Sequence, residues 1–343
     1  MDRGVVLSAP GAVALEEIHV DGPDSGEVAV RIEASGVCHT DLHVVEEDGW
    51  GHPLPVLLGH EGAGTVEQVG AGVTHVAPGD RVVLGWHTAC GECVMCVRGL
   101  PRQCRRPPAA AGRLHRGDGT VLSPVLRTGT YATRTVVPGV AAVKVPAELP
   151  VEQACLIGCA VATGVMSVLE TARVPEGASV AVIGCGAVGL SVVQGARIAG
   201  AAEIRAIDVD ERKQEQALQF GATHTGAGPV DFAFDVVGRR ATFELALKLL
   251  RGGGTAVLIG LSPSGEKAEL DLPGFFARRT TVRTSHGGDH LPHEDFPRLA
   301  QWALKGKLDL AGMVTKRIGI EDAPRALDEL RSSPDLIRSV IVL

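Results

Sequence analysis

The segment GVCHTDLH, Gly36 to His43, sets a thiol, two imidazoles, a hydroxyl and a carboxylate in the six consecutive positions Cys38 to His43. Which of these groups react, and which hold the others, depends on what the rest of the chain supplies. Four of the eight cysteines form one cluster: CGECVMCVRGLPRQC places Cys90, Cys93, Cys96 and Cys104 at C-x2-C-x2-C-x7-C spacing. Four thiolates on one short loop close a tetrahedron around Zn²⁺ and leave no position for substrate, so such a site fixes a lobe. Nearby Arg98, Arg102, Arg105 and Arg106 offset its excess negative charge. The competing assignment is an iron–sulfur cluster, but there the fourth cysteine follows after three residues and precedes proline, whereas Cys104 follows after seven. His60 in LLGHEGAGTV and Cys159 in CLIGCAVATG join Cys38 to give two thiolates and an imidazole. That is the donor set of a catalytic zinc whose fourth position stays open.

A second chemistry lies in SVAVIGCGAVGLSVVQGARIAG. It reads as a strand, a glycine turn and an amphipathic helix, with Gly184, Gly186 and Gly189 in G-x-G-x-x-G spacing around Val188. The turn brings backbone N–H groups to a pyrophosphate, and the helix N-terminus favours its charge. In IRAIDVDERK a second strand ends at Asp208, nineteen residues after Gly189. A carboxylate there accepts from the ribose hydroxyls of NAD and repels the 2′-phosphate of NADP. DFAFDVVG and GTAVLIG follow as further strands after helical stretches, the order of an open parallel sheet. Cys185, inside the turn, reads as a small apolar filler.

These sites need a scaffold, and 343 residues suit two domains rather than one. Hydrophobic residues make up 45% but aromatics only 3%, so the interior is built from Val, Ala, Leu and Ile. The 44 glycines and 20 prolines point to many tight turns. A net charge of -7 without a basic run argues against nucleic acid and anionic membranes. The longest uncharged stretch, Gly177 to Ala196, is twenty residues but holds five glycines, Ser179, Ser191 and Gln194, so it reads as no membrane span. Pro10 and Gly11 interrupt the first apolar run before a signal-peptide core forms. Clustered cysteines without such a segment point to a cytoplasmic chain that binds metal.

Taken together, GVCHTDLH, GHEGAG, the four-cysteine lobe, LIGC, GCGAVG and AIDVD make the chain resemble the zinc-containing medium-chain alcohol dehydrogenases nearly end to end. In detail it is most similar to bacterial members near the class III and mycothiol-dependent formaldehyde dehydrogenase branch. The resemblance implies an α/β fold: a Rossmann doubly wound parallel-sheet domain, 161–285, inserted in a mostly-β GroES-like catalytic domain. That catalytic domain comprises 1–160 and 286–343, carries the structural zinc lobe 90–104, and leaves the site in the cleft. It also implies two zincs per chain. Cys38, His60 and Cys159 bind the catalytic one. Glu61 lies behind the metal, and Asp41 orients the histidine ligand. Thr40 touches the substrate oxygen, and His43 ends a proton path through the nicotinamide ribose. His39 faces the pyrophosphate, and Thr163, Lys213, Arg239 and Arg338 match other cofactor-contacting positions. Trp50 and Trp86 border the substrate pocket.

The implied reaction is reversible hydride transfer between a primary alcohol or aldehyde and NAD. Zinc lowers the pKa of bound water from about 16 to about 7. At about 1.36 kcal/mol per unit that is roughly 12 kcal/mol, whereas a histidine base alone typically supplies about 10²–10⁴-fold. The metal therefore contributes more to activating the alcohol than the histidine does. Two alternatives stand beside this. One is oxidation of S-(hydroxymethyl)mycothiol or another thiol adduct of formaldehyde, for which Arg113, His115, Arg116 and His290 are candidate carboxylate grips that read more simply as surface residues. The other is a zinc-stapled nucleotide-binding sensor without turnover, which has no need of Cys38, His60, Cys159, Thr40 and His43 together. Relatives form homodimers or homotetramers, commonly by joining nucleotide-domain sheet edges.

Overall fold

The structure, a computed structural model, describes residues 1–110, 112–331 and 336–343. The chain forms two compact units, Met1–Cys159 with Leu291–Leu343, and Ala160–His290.

The first unit is built mostly from antiparallel strands. Its larger sheet has seven strands, with Glu27–Gly36 at its centre, bonded to Glu61–Val69, Arg134–Pro138 and Arg338–Val342. The alternation in EVAVRIEASG puts Val28, Val30 and Ile32 into a core with Val66, Val82, Leu84 and Val137. A five-stranded sheet is organised around Asp2–Ala9 and Ala12–Val20. Valine and leucine fill these cores, as the scarcity of aromatics requires. Strand register matters most for the chemistry. Gly36 stands opposite both Glu61 and Val340, so the residues just past one strand end (Cys38), just before another (His60) and at the start of a third (Arg338) share one end of the sheet.

The second unit is a six-stranded, wholly parallel sheet in the order His224–Thr225, Glu203–Ile207, Ser179–Ile183, Val230–Asp235, Leu250–Leu258, Thr281–Thr284. SVAVI is buried at every position, as expected of a central parallel strand covered on both faces. The strand order reverses beside it, which makes the C-terminal end of Ser179–Ile183 the switch point of the sheet. The long uncharged stretch resolves into this strand, its turn and the helix Ala187–Ile198. Among the described residues no single helix is long and apolar enough to cross a membrane.

Candidate functional site

Cys38 leaves the Glu27–Gly36 strand and precedes the helix His39–Glu46. His60 immediately precedes Glu61–Val69, and Cys159 follows a short 3₁₀ turn, Cys155–Gly158. All three side chains are buried, and one donor atom from each lies within 4.8 Å of the other two. His60 Nε2 is 3.2 Å from Cys159 Sγ, while Nδ1 is 3.0 Å from Asp41 Oδ2. Asp41 thus turns the Nε2 lone pair toward the sulfurs, the second-layer arrangement that metal-bound histidines show. Asp41 is itself pinned. Oδ1 accepts the Gly59 N–H at 2.8 Å and Oδ2 the Tyr131 hydroxyl at 3.1 Å. Gly59 has φ +91°, and a Cβ there would lie 2.3 Å from the Tyr131 nitrogen, so only glycine lets this turn close.

The electrostatics suit a cation. A hydrogen bond from Cys159 holds Cys38 well below the usual thiol range against the opposing effect of burial, with Arg338 and His60 assisting. The same bond, with burial, pushes Cys159 up. Burial opposes charge on His60, but Asp41 and Cys38 outweigh it and raise the imidazole well above its ordinary value. Two sulfurs and an imidazole therefore share protons where a divalent ion would displace them. Arg338, matched by resemblance to the cofactor, is 3% exposed; its Nη1 donates to the Val37 carbonyl at 2.7 Å and its Nε lies 3.5 Å from Glu61 Oε2. Glu61 is fully buried beside the donors.

The four-cysteine lobe is equally well formed. The Sγ pairs Cys90–Cys96, Cys93–Cys96 and Cys93–Cys104 are 3.9, 3.6 and 3.9 Å apart. Zinc–sulfur bonds of about 2.3 Å at tetrahedral angles put sulfurs about 3.8 Å apart. The spacing matches one ion; a multi-iron cluster, with sulfurs on different irons, holds them farther apart. Arg102 ties this lobe to the helix Pro292–Leu304 through Asp295 (2.7 Å) and Glu294 (3.2 Å).

Thr40 and His43 are half-buried, one turn apart on the helix that follows Cys38, and His39 is exposed. Trp50 has φ +47° and packs against the core cluster that includes Val37, Leu42 and Tyr131. Trp86 is half-buried against His87, ring centroids 5.6 Å apart. Arg113 binds Asp24 and Glu27, Arg116 binds Glu16, and His115 binds Asp21, so each already faces a carboxylate of its own unit. His290 is buried, with Nδ1 on the Gly287 carbonyl.

In the second unit the glycine turn stands at the switch point. Gly186 precedes the helix Ala187–Ile198 with no side-chain cap, which leaves first-turn N–H groups for an anion; Val188 and Gly189 lie in that first turn. Asp208 is pre-positioned: Oδ2 accepts the Cys185 N–H at 2.7 Å and Oδ1 the Asp210 N–H at 3.0 Å. Lys213 is half-buried on the next helix, Glu211–Gln219. Exposed Arg239 precedes the helix Arg240–Leu249, and Thr163 is buried in Ala160–Met166. These donors and this open helix end fit a dinucleotide.

Sequence reasoning missed Tyr131. It is the chain's single tyrosine, fully buried, and its hydroxyl reaches both Asp41 and the Gly36 carbonyl. A lone buried tyrosine in a chain so poor in aromatics was the available signal.

Comparison with known proteins agrees with this geometry. Residues 24–147 match the alcohol dehydrogenase GroES-like domain, and residues 187–305 match the zinc-binding dehydrogenases. The S-(hydroxymethyl)glutathione dehydrogenase of Paracoccus denitrificans is 32% identical over 370 residues, covering 98% of each chain. An alcohol dehydrogenase zinc-binding domain protein from Burkholderia ambifaria superposes with a TM-score of 0.94 at 33% identity, covering 100% of this chain and 98% of its own. The benzyl alcohol dehydrogenase of Acinetobacter calcoaceticus gives 0.92 at 27%, covering 100% and 99%.

Proposed function

The chain belongs to the zinc-containing medium-chain alcohol dehydrogenases, and from that premise we propose that it interconverts a primary alcohol and its aldehyde with NAD as hydride acceptor. The observation that carries this reading is the buried Cys38–His60–Cys159 triangle with Asp41 behind its imidazole. Zinc, held by these three residues, would supply Lewis acidity toward a substrate oxygen, and NAD, held at the glycine turn, would supply the hydride acceptor.

The chain's own residues do the rest. Asp41 fixes the His60 tautomer, so Nε2 is the ligand atom. Buried Arg338 favours thiolate charge at Cys38 and Cys159, and Glu61, whose carboxylate opposes that charge at Cys159, faces Arg338. Thr40, two residues past Cys38, accepts the proton that the substrate hydroxyl gives up. His43, one turn further and half-buried, passes a proton toward solvent. Asp208, held by two backbone N–H groups, selects ribose hydroxyls over a 2′-phosphate.

A second substrate reading has a specific observation in its favour: relatives named S-(hydroxymethyl)glutathione dehydrogenase match nearly the whole chain. We therefore place thiol adducts of formaldehyde beside simple primary alcohols. The test is an NADH-formation screen over aliphatic, allylic and benzylic alcohols, with and without formaldehyde plus low-molecular-weight thiols. Turnover of simple alcohols alone supports the first reading, and turnover only with formaldehyde plus a thiol supports the second. No NADH in any arm, from protein holding two zincs, refutes both.

We also infer a homo-oligomer. The edge strand Thr281–Thr284 is exposed at all four positions, and Leu272 and Phe276 nearby are 67% and 85% exposed. Light scattering on the purified chain decides it; a monomer at micromolar concentration refutes it. All eight cysteines are free thiols, which accords with a cytoplasmic location.

A further inference from the structure

The parallel sheet carries a second organising carboxylate besides Asp208. Asp235 ends the Val230–Asp235 strand and is fully buried. Its neighbours in register are Ile183, whose strand runs into the glycine turn, and Leu258 on the next strand. Oδ1 accepts the N–H groups of Val237 and Gly238 at 3.0 and 3.1 Å. Its backbone carbonyl accepts those of Ile259 and Gly260 at 2.9 and 3.1 Å. One residue therefore holds two turns that leave adjacent strands.

The two turns touch backbone to backbone. Gly238 is left-handed (φ +76°), and a Cβ on Gly260 would lie 2.3 Å from the Gly238 nitrogen. Val237 reaches the glycine turn as well, since a Cβ on Gly184 would lie 2.8 Å from its Cγ2. Asp235 Oδ2 adds a separate observation: it is buried with no donor in hydrogen-bond geometry. The Thr242 hydroxyl beside it is committed to the Arg239 carbonyl at 2.9 Å. Burial accordingly pushes the carboxyl above its ordinary range. The four backbone hydrogen bonds of Asp235 impose the shape of both turns.

Both turns lie at the C-terminal end of the parallel sheet, the end at which the glycine turn follows Ser179–Ile183. Asp208, on the strand to one side of the switch point, takes the adenosine ribose, and the glycine turn takes the pyrophosphate. A dinucleotide laid across the switch point continues over the strands on the other side, Val230–Asp235 and Leu250–Leu258. We propose that Asp235 is a positioning residue for the nicotinamide ring of the dinucleotide, through the turns 236–239 and 259–261 that it holds in place. The proposal rests on the second unit being the dinucleotide-binding one.

The test compares NADH with ADP-ribose, which keeps both riboses and the pyrophosphate and lacks only the nicotinamide ring, by calorimetric titration of the full zinc-loaded chain. Asp235→Ala raises the NADH dissociation constant at least tenfold and changes that of ADP-ribose less than twofold. Asp235→Asn, which keeps the volume and one acceptor oxygen, lies between parent and alanine variant. Should the alanine variant not fold, the asparagine variant decides alone, by whether its NADH to ADP-ribose affinity ratio moves by more than threefold. Parental NADH binding in both variants, or parallel loss of both ligands, overturns the proposal. Failure of the parent to bind either ligand instead overturns the assignment of the second unit.

Discussion

Replacing Asp41 by asparagine tests the zinc reading where the structure constrains it most. Asp41 receives the Gly59 N–H (2.8 Å) on Oδ1, and the Tyr131 hydroxyl (3.1 Å) and His60 Nδ1 (3.0 Å) on Oδ2. The Gly59 N–H can only donate, so an asparagine must keep its oxygen there and turn its NH₂ toward Tyr131 and His60. An NH₂ against Nδ1 favours the tautomer with the proton on Nε2. That proton occupies the lone pair aimed at Cys38 and Cys159. Losing such an outer partner typically costs about 10–100-fold in metal affinity, or about 1.4–2.8 kcal/mol. Alanine is the wrong probe. It strands buried donors at about 1–3 kcal/mol each, a total comparable with a whole folding free energy of about 5–15 kcal/mol.

The assay is zinc content per chain after dialysis against graded chelator, with circular dichroism to confirm the fold. Asp41→Asn keeps the lobe ion at the parental chelator midpoint and loses the other at about 10–100-fold weaker chelation. Coincident midpoints in parent and variant, or simultaneous loss of both ions from the variant, refute the tautomer argument.

Three further outcomes follow from named contacts. Asp208→Gly removes the carboxylate at the ribose position and lowers the NAD-to-NADP ratio of kcat/KM at least tenfold; an unchanged ratio removes Asp208 from cofactor selection. Cys155 and Cys185 lie outside both metal clusters and are 0% and 1% exposed, and burial pushes Cys185 up to about 12. Native zinc-loaded protein at pH 8 therefore shows no fast-reacting thiol toward a disulfide reagent, and one rapid equivalent contradicts this packing. Burial, and then the Arg127 cation, depress His52 below its ordinary value. The unfolded chain then binds the proton more readily, so this contribution to stability is present above about pH 6.5 and is lost as pH falls through that value. His52→Gln flattens that part of a denaturant-midpoint profile, and an unaltered slope refutes the assignment.

How much of this was legible in the sequence depended on whether position or register carried the information. The glycine turn, Asp208 and the alternation of strand and helix are local, so GCGAVG and AIDVD disclose the parallel sheet and its switch point. The four-cysteine lobe is local too, because Cys90 to Cys104 close on one loop. Cys38 and His60 meet through strand pairing and Cys159 joins them from a 3₁₀ turn, which no spacing rule supplies; the family resemblance supplied it instead. Tyr131 and Arg338 show what lies beyond both. LIRSV suggests a cationic contact to a cofactor, and the pairing of Val340 with Gly36 also sets that arginine against Glu61, which the spacing does not disclose. Asp235, in a segment that reads only as a further strand of the parallel sheet, gave no sign of its two turns.

The same register explains why an ion pair is buried beside the donors. Gly36 faces Glu61 across the sheet, and a Cβ at Gly36 would lie 2.3 Å from Glu61 Oε2, so the glutamate side chain lies over the glycine. Its carboxylate faces Arg338, whose guanidinium is fastened to the Val37 carbonyl beside Cys38. A one-residue slip of this strand pair would turn every side chain to the opposite face. It would also bury Glu61 and Arg338 apart, at several kcal/mol per uncompensated charge. The pair therefore acts against misregistration of the strands that bring Cys38 and His60 together. The precision of the donor triangle comes from the sheet, with Glu61 and Arg338 as its internal check.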